Sequence, residues 1–359
     1  MSKKKKKNKI NIKKNNIYSS QQYLGSRFFK RNSSYIFLLF LICIVFFYKI
    51  VFGFASVKED LLFLEFPHRI FAKDSFQNFR FPHWNPYTFN GMPFFAAFSS
   101  IFYPFNFLLS ILPVNQVHYW YLFQLEVLIH YFIAGLSMYI YIQGRNLTKL
   151  ASFFAAIGYM LCGFLVARQT HPSILMNIVW IPLVFFFIEK SINKNRYIYM
   201  LIAGLVFGMM MHTGHPQIIL YEFIFIGFYS TFLLFQKRDK KIKRLIQITS
   251  LFLIAIGVVA VNILPTLEMV DQSTRSDWTF QQASEASIPI FQLIALFMPK
   301  IFGARTTPDI QIPAFWLKSS FHSGSWTYWE TCFYMGIAIL VLAIYQFKNI
   351  KKMLLFYLL

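Results

Sequence analysis

Eight long apolar runs, separated by short polar or basic stretches, set the pattern of this chain: 35–55, 117–142, 150–167, 173–188, 197–211, 218–235, 245–265 and 330–347. A ninth opens at Met353. A hydrocarbon core of roughly 30 Å takes about 20 apolar residues of helix, so the pattern predicts an all-α polytopic membrane protein with about eight to nine transmembrane helices. Composition agrees: 57% of residues are hydrophobic, 45 are Phe, and the mean hydropathy is +0.48, far above what one soluble core could hide.

The formal net charge of +21 would suit nucleic acid, but the positions of the charges point to a membrane instead. Residues 1–31, 144–149, 190–196, 236–244 and 348–352 hold 25 of the 35 Lys and Arg, and they fall between alternate runs. Under the positive-inside rule these are cytoplasmic, and the N-terminus is inside. The opposite connections hold Glu59, Asp60, Glu65, Asp74, Glu268, Asp271, Asp277, Glu285, Asp309 and Glu330, which is 10 of the 14 acids. Residues 1–34, with Lys at 3–7, 9, 13 and 14, read as a disordered cytoplasmic tail that can also touch anionic headgroups. Residues 35–359 form the multi-span domain, and the place where the run after Met353 stops predicts the N-terminal portion of a longer protein.

Two outer segments, about 56–116 and 266–329, carry most of the unusual residues. The apolar stretch 94–112 within the first contains Pro104 and follows Gly91-Met92-Pro93. Making it a full span would send the basic stretches 190–196 and 236–244 outside, so it reads as a re-entrant or interfacial element, tolerated where protein or a cavity satisfies its backbone. Residues 288–298 are too short to span and are expected on the membrane surface. His68, His83, His118, His171, His212, His215 and His322 fall at the outer side in this topology, and His130 alone lies mid-span. Taken singly, each suits the headgroup zone; their joint bias, with Arg69, Arg168 and Arg275 on the same side, suggests an anionic ligand such as a lipid phosphate.

Absences narrow the class. There is no phosphate-cradling Gly-Lys-Ser/Thr loop, no dinucleotide-type Gly fingerprint and no Gly-x-Ser-x-Gly elbow. Cys43, Cys162 and Cys332 lie in apolar runs at unrelated spacings and read as core residues, with neither a disulfide nor a zinc site implied. Glu126 and Glu222 lie within helices; each is either a relay or a buried hydrogen-bonding group of the bundle.

The blocks Asp60-Leu61-Leu62 with Pro67, Pro82-His83-Trp84-Asn85-Pro86-Tyr87, Gly91-Met92-Pro93, Tyr103-Pro104-Phe105-Asn106, Gly214-His215-Pro216-Gln217 with Tyr221, and Leu264-Pro265-Thr266-Leu267-Glu268 with Ser273 and Arg275 occur in this order. With Leu296-Phe297-Met298-Pro299 and Tyr328-Trp329-Glu330 they resemble the bacterial YfhO membrane-protein family from about Lys58 to the end. Leu64-Glu65 stands where that family's pattern has a polar-aromatic pair.

The resemblance implies a GT-C-like glycosyltransferase fold in the bacterial inner membrane. Such an enzyme takes a sugar from a polyprenyl-phosphate carrier and passes it to a cell-envelope polymer or glycolipid acceptor. Its partners are then those two substrates and membrane lipids, with no nucleic acid. Glycosyl transfer needs a base for the acceptor hydroxyl and positive charge or donors for the leaving phosphate. Asp60 is the expected base, with His68 and Arg69 close in sequence to hold it ionised. Glu59 is an auxiliary base or a ligand for a divalent cation; beyond that cation no cofactor is implied. Arg69, His83, His215 and Arg275 are expected to contact phosphate, Trp84 and Tyr87 to stack on sugar or prenyl groups, and Gln217 to line the same cavity. Two other readings stay open: a flippase or transporter for a lipid-linked substrate, which would need a path of intramembrane charges, and a non-catalytic scaffold of envelope assembly.

Overall fold

The computed structural model describes residues 26–97, 99–236, 241–273, 279–280, 290–298, 332 and 334–347. Fourteen α-helices carry almost all of the regular structure among these residues. The first, α1 (Ser26–Phe46), runs into a short α2 (Tyr48–Val51). The outer segment then holds a π-turn at Leu61–Glu65, α3 (Phe66–Gln77), a two-residue antiparallel ribbon of β1 (Trp84–Asn85) and β2 (Met92–Pro93), α4 (Phe94–Ala97), a 3-10 turn at Ser99–Phe102 and α5 (Pro104–Ser110). The bundle follows as α6 (Gln116–Gly144), α7 (Lys149–Met160), α8 (Gly163–Ala167), α9 (Pro172–Ile178), α10 (Ile181–Lys194), α11 (Tyr197–Met211), α12 (Pro216–Gln236) and α13 (Lys241–Asp271), with α14 (Ile337–Phe347) after the second outer segment.

Local chemistry sets many of these boundaries. The Asn115 side chain accepts from the His118 backbone N–H at 2.9 Å to cap α6, and Thr148 does the same for α7 from Ala151 at 3.2 Å. Pro67, Pro104, Pro172, Pro182 and Pro216 stand in first turns, where a missing N–H costs nothing. Asn195, left-handed at φ 52°, ends α10.

Six segments among the described residues are long and apolar enough to cross a membrane: Arg27–Phe46, Gln116–Gly144, Lys149–Thr170, Pro172–Lys194, Pro216–Phe235 and Lys241–Asp271. Eight or nine were expected. The difference has identifiable sources. The run at 197–211 is the 15-residue helix α11, about 22 Å long at 1.5 Å per residue and short of a straight span. The run at 330–347 is described as a helix only from Ile337, and residues from Met353 lie outside the described set. The first span is also displaced. It begins at Ser26, so residues 26–34, read as disordered tail, are helical; Asn32 is buried there, donating to Phe28 O at 2.9 Å and accepting from the Tyr139 hydroxyl at 2.9 Å.

The stretch 94–112 does not form a continuous helix. It is broken into α4, the 3-10 turn and α5, packed under α3 with Phe94, Ile101, Tyr103 and Asn106 buried, the behaviour expected of a non-spanning element.

Two of the spanning segments are themselves broken, at Leu161–Cys162 and at Val179–Trp180, and hydroxyls of neighbouring helices bond to carbonyls of both segments. Tyr131 OH donates to Leu165 O at 2.9 Å, Tyr159 OH to Ile178 O at 2.6 Å, and Ser137 OH to Val179 O at 2.6 Å. At the other end of the bundle Glu189 accepts from the hydroxyls of Tyr141 (3.1 Å) and Tyr229, with Arg145 3.6 Å away. Lys190 lies 4.6 Å from the Tyr199 ring centroid and 4.8 Å from that of Phe186. Among the described residues Lys149 donates to Arg31 O at 2.6 Å and Tyr197 OH to Ile246 O at 3.2 Å, so these basic connections are joined to one another and not to Asp60 and His171.

Helix α11 packs closely against α13 through glycine. A Cβ at Gly208 would lie 2.6 Å from Val258 Cβ and 3.1 Å from Ala255 Cα, whereas one at Gly257 meets nothing within 4 Å. Gly208→Val should therefore destabilise the bundle by about 1–3 kcal/mol through overpacking, and Gly257→Ala should leave it unchanged or slightly more stable. Thermal unfolding in detergent distinguishes the two; equal effects would show that the α11–α13 contact is looser than described.

Candidate functional site

The acid pair ahead of α3 owes its presentation to a distorted backbone. Glu59 is left-handed at φ 60°, uncommon for a residue with a side chain, and its carbonyl accepts from Leu62 and Phe63 at 2.8 Å each. Asp60 caps the start of the π-turn Leu61–Glu65, an insertion that rotates the side chains before and after it relative to a regular helix. Asp60 is left about half exposed, at 51%, with its Oδ2 3.1 Å from Nε2 of His171, which is itself mostly buried. Strain of this kind, held by its surroundings, is concentrated in proteins at sites of function.

Arg69, one of the expected phosphate contacts and expected to hold Asp60 ionised, points elsewhere. Its Nη1 donates to Glu126 Oε2 at 2.7 Å, both side chains being 6% exposed, and its guanidinium lies 3.9 Å from the Phe123 ring centroid. Burial works against the cation, but the neighbouring Glu126 charge prevails and its pKa is raised. The partner of Asp60 is therefore His171, and Arg69 belongs to an internal ion pair.

The pair is the base of a longer chain. His130 Nδ1 lies 2.7 Å from Glu126 O, and a carbonyl can only accept, so Nδ1 carries the proton. Trp180 Nε1 donates to Tyr103 Oη at 2.8 Å, and Tyr103 donates in turn to the unprotonated Nε2 of His130 at 2.7 Å. Burial holds the Tyr103 hydroxyl well above the usual phenol range, which keeps it a donor. A small cleft beside this chain is lined by Glu65, His68, Arg69, Phe94, Asn106 and Ser110. Burial pushes the Glu65 carboxyl up; Arg69 pulls it back, and Asp60 and Glu126 push it up further. Burial pushes His68 down, although its bond to Leu64 O favours the cation.

His83, Trp84 and Tyr87 sit on the ribbon outside this cleft. Phe89, Asn90 and Gly91 are consecutively left-handed, and Gly91 must be glycine because the Trp84 ring fills the place of its side chain, 2.6 Å from a Cβ built there. Asn85 is buried, accepting from the Tyr87 N–H at 2.9 Å and donating to Thr88 Oγ1 at 3.1 Å. The outcome is a rigid ribbon that presents Trp84 at 56%, Tyr87 at 85% and Phe89 at 86% exposure. His83 is also exposed, against Phe81 at 4.6 Å between centroids.

His215 is half-buried at the start of α12; burial pushes its pKa down and the nearby Arg168 cation pushes it further. Arg168 belongs to the 3-10 turn Arg168–Thr170 that leads directly into His171, so one short segment touches both Asp60 and the surroundings of His215. Gln217 is exposed and donates to Tyr221 Oη at 2.8 Å. Arg275 lies outside the described residues.

His171, Glu65 and the Glu126–His130–Tyr103–Trp180 chain were not among the expected site residues. An acid in the middle of a long apolar run was the available signal for Glu126, and for His171 it was Arg-x-x-His-Pro at the junction of two apolar runs. Among the described residues no three His, Cys, Asp or Glu side chains converge in a way that could hold a metal ion.

Removing one member of a buried ion pair strands the other charge, at about 3–5 kcal/mol. Arg69→Met and Glu126→Leu should each lower the unfolding temperature steeply, and the double variant should recover most of the loss. A double variant as damaged as the two singles combined would show that the pair is not what holds α3 to α6.

The sequence matches the profile of the family described as Bacterial membrane protein YfhO over residues 7–331. The match begins ahead of the first span, earlier than the quoted motifs, and takes in the π-turn, the aromatic ribbon, the cleft and both broken helices. No curated protein and no solved structure matches the chain. With nine-tenths of its length inside that profile, this chain belongs to the YfhO family of bacterial membrane proteins.

Proposed function

We propose that the chain is the membrane part of a GT-C-like glycosyltransferase that moves a sugar from a polyprenyl-phosphate carrier to a cell-envelope polymer or glycolipid acceptor on the outer face of the bacterial inner membrane. The observation that carries this reading is the half-exposed Asp60 carboxylate held against His171 at 3.1 Å, at the junction of a π-turn and a broken span. In such a reaction the acceptor hydroxyl forms a bond to the sugar's anomeric carbon as the bond to the carrier phosphate breaks. The hydroxyl proton goes to Asp60, and the phosphate departs with the electron pair. His171 orients the carboxylate by binding one oxygen, leaving the other toward solvent.

The buried placement of Arg69 moves the leaving-group role to other residues. Arg168 and His215 share one neighbourhood beside the Asp60–His171 junction. His215, with its pKa lowered, serves as a neutral hydrogen-bond donor and Arg168 as the cation. The exposed Trp84, Tyr87 and Phe89 offer flat apolar faces of the kind that stack on sugar rings and prenyl chains. Glu59, whose strained backbone aims Asp60, contributes position more than chemistry.

One observation favours a second reading, transport of a lipid-linked substrate. Glu222 lies within the α12 span at 5% exposure, and neither carboxyl oxygen has a hydrogen-bond partner among the described residues. Ionisable groups so placed mark ion and substrate paths in transporters.

The two readings separate by mutation at matched membrane abundance. Asp60→Asn should lower sugar transfer from a polyprenyl-phosphate donor by about 10² or more, the scale of losing a general base, with donor binding retained. Glu59→Gln should do less, and Glu222→Gln should leave transfer within a few-fold of normal. Near-normal transfer by Asp60→Asn together with loss by Glu222→Gln would replace the transferase reading by the transport one.

A further inference from the structure

Glu222 differs from the other acids buried in the bundle. Glu126 is paired with Arg69, and Glu189 with Arg145 and two tyrosine hydroxyls. Glu222 is as deeply buried, at 5% exposure, yet neither of its carboxyl oxygens has a hydrogen-bond partner among the described residues. Helix α12 turns Tyr221, Phe225, Phe228 and Phe232 outward and buries Glu222, Ile226 and Ser230, four residues apart, on the side where α9, α10, α11 and α13 pack. Residues at that spacing share one face of a helix, so the acid points into the protein and away from lipid.

The helices around it offer no counter-charge. Neither α9 nor α11 contains a charged residue. On α13 the charges stand at the two ends, Lys241, Lys243 and Arg244 at one and Glu268 and Asp271 at the other. The charges of α10 begin at Glu189, which meets Tyr229, two turns further along α12. Tyr159 of α7 lies within electrostatic reach of Glu222, but its hydroxyl is committed to Ile178 O at 2.6 Å. His212, at the end of α11, has Nε2 3.0 Å from Val258 O. Inside a membrane an ionised carboxylate with neither cation nor donor is far more costly than the neutral acid. A hard metal cation would ask for several oxygen ligands, and among the described residues no three His, Cys, Asp or Glu side chains converge. A proton needs only the one carboxyl.

The two directions along α12 differ. Inward of Glu222 the rings of Phe207, Phe223 and Phe252 cluster, with centroids 4.5–6.3 Å apart. Phe252 lies 3.9 Å from a Cβ built on Gly227, more than one turn inward, so an apolar plug closes that side. In the other direction His215 stands seven residues away, just short of two turns and about 10 Å along the axis, and so above the same face. Its Nδ1 is buried. Arg168 is its neighbour and leads into His171, which meets Asp60, at the end that the charge alternation assigns to the outer side.

We propose that Glu222 is a proton-binding site inside the membrane, loaded from the outer end by way of His215 and closed on the inner side by Phe207, Phe223 and Phe252. The proton passes between the Glu222 carboxyl and the His215 imidazole through water admitted between the helices, leaving a carboxylate when it departs. No other bond changes. The site rests on the transport reading only for its use, where it makes the coupling ion a proton; the proton itself is detected with no substrate present.

The test compares the full chain in lipid vesicles with Glu222→Gln by infrared difference spectroscopy at neutral pH. The wild-type protein should show a carboxylic-acid C=O stretch that the variant lacks, and the band should move to lower frequency when the external buffer is replaced by D2O. A carboxylate band in its place would overturn the proposal, because the group would be ionised. A carboxylic-acid band that ignores D2O would overturn it too, as the mark of a sealed structural acid. Loss of the band on adding sodium would replace the proton by a metal cation. Glu222→Asp keeps a carboxyl and guards against misfolding of the amide variant: it should retain the band at a changed frequency. His215→Ala should leave the band and slow its exchange by about 10²-fold, the lower end of what a positioned proton carrier contributes. Exchange at the wild-type rate in that variant would overturn the route through His215.

Discussion

A guanidinium and a carboxylate, both almost wholly removed from water, hold the outer segment to the bundle: Arg69 of α3 and Glu126 of α6, 2.7 Å apart. Neither charge is stable alone at that depth, since the desolvation of an unpaired ion costs several kcal/mol. The partners therefore dictate where α3 lies, and α3 in turn fixes the π-turn and Asp60 before it. Phe123 below the guanidinium and Met176 at 3.7 Å from Nη2 close its other sides. The backbone of Glu126 begins the His130–Tyr103–Trp180 chain, which reaches α5 and the α9–α10 junction. One ion pair and the chain it starts thus link α3 and α5 to two spanning segments.

A second constraint is the cost of irregular backbone inside a membrane. The break at 179–180 frees carbonyls in an apolar setting, and the fold meets Ile178 O and Val179 O with the hydroxyls of Tyr159 and Ser137 from neighbouring helices. Arg168 and His171 lie away from both breaks, in the turn that joins the two spanning segments, where His171 meets Asp60.

The sequence revealed what depends on one-dimensional pattern. Run 197–211 coincides with α11 because Arg196 and His212-Thr213-Gly214 bracket it, and run 117–142 with α6 because Asn115 caps it. Pro104 and Gly91 correctly argued against a span at 94–112. What stayed hidden depends on partners distant in sequence. Arg69 looked available to a phosphate because the acid that claims it is 57 residues away. The start of α1 was placed late because polar residues at 26–34 resemble a tail until Tyr139 is seen bonded to Asn32. The α7–α8 break contains no proline, and there Gly163 donates its backbone N–H to Tyr334 O, a partner distant in sequence.

The distribution of acids completes the physical picture. At the basic end, Glu189 is wrapped by two tyrosine hydroxyls and one arginine, the arrangement of a carboxylate with a structural task. At the opposite end, Glu126 is spent on Arg69, Glu65 faces the cleft beside Glu126 and Arg69, and Asp60 alone of the three keeps half its surface in solvent. A base must be ionised and reachable by the proton it takes. Burial denies reach to Glu126 and pushes Glu65 toward its neutral form, and on the proposed reading it is Asp60, held by His171 and still half in solvent, that takes the proton.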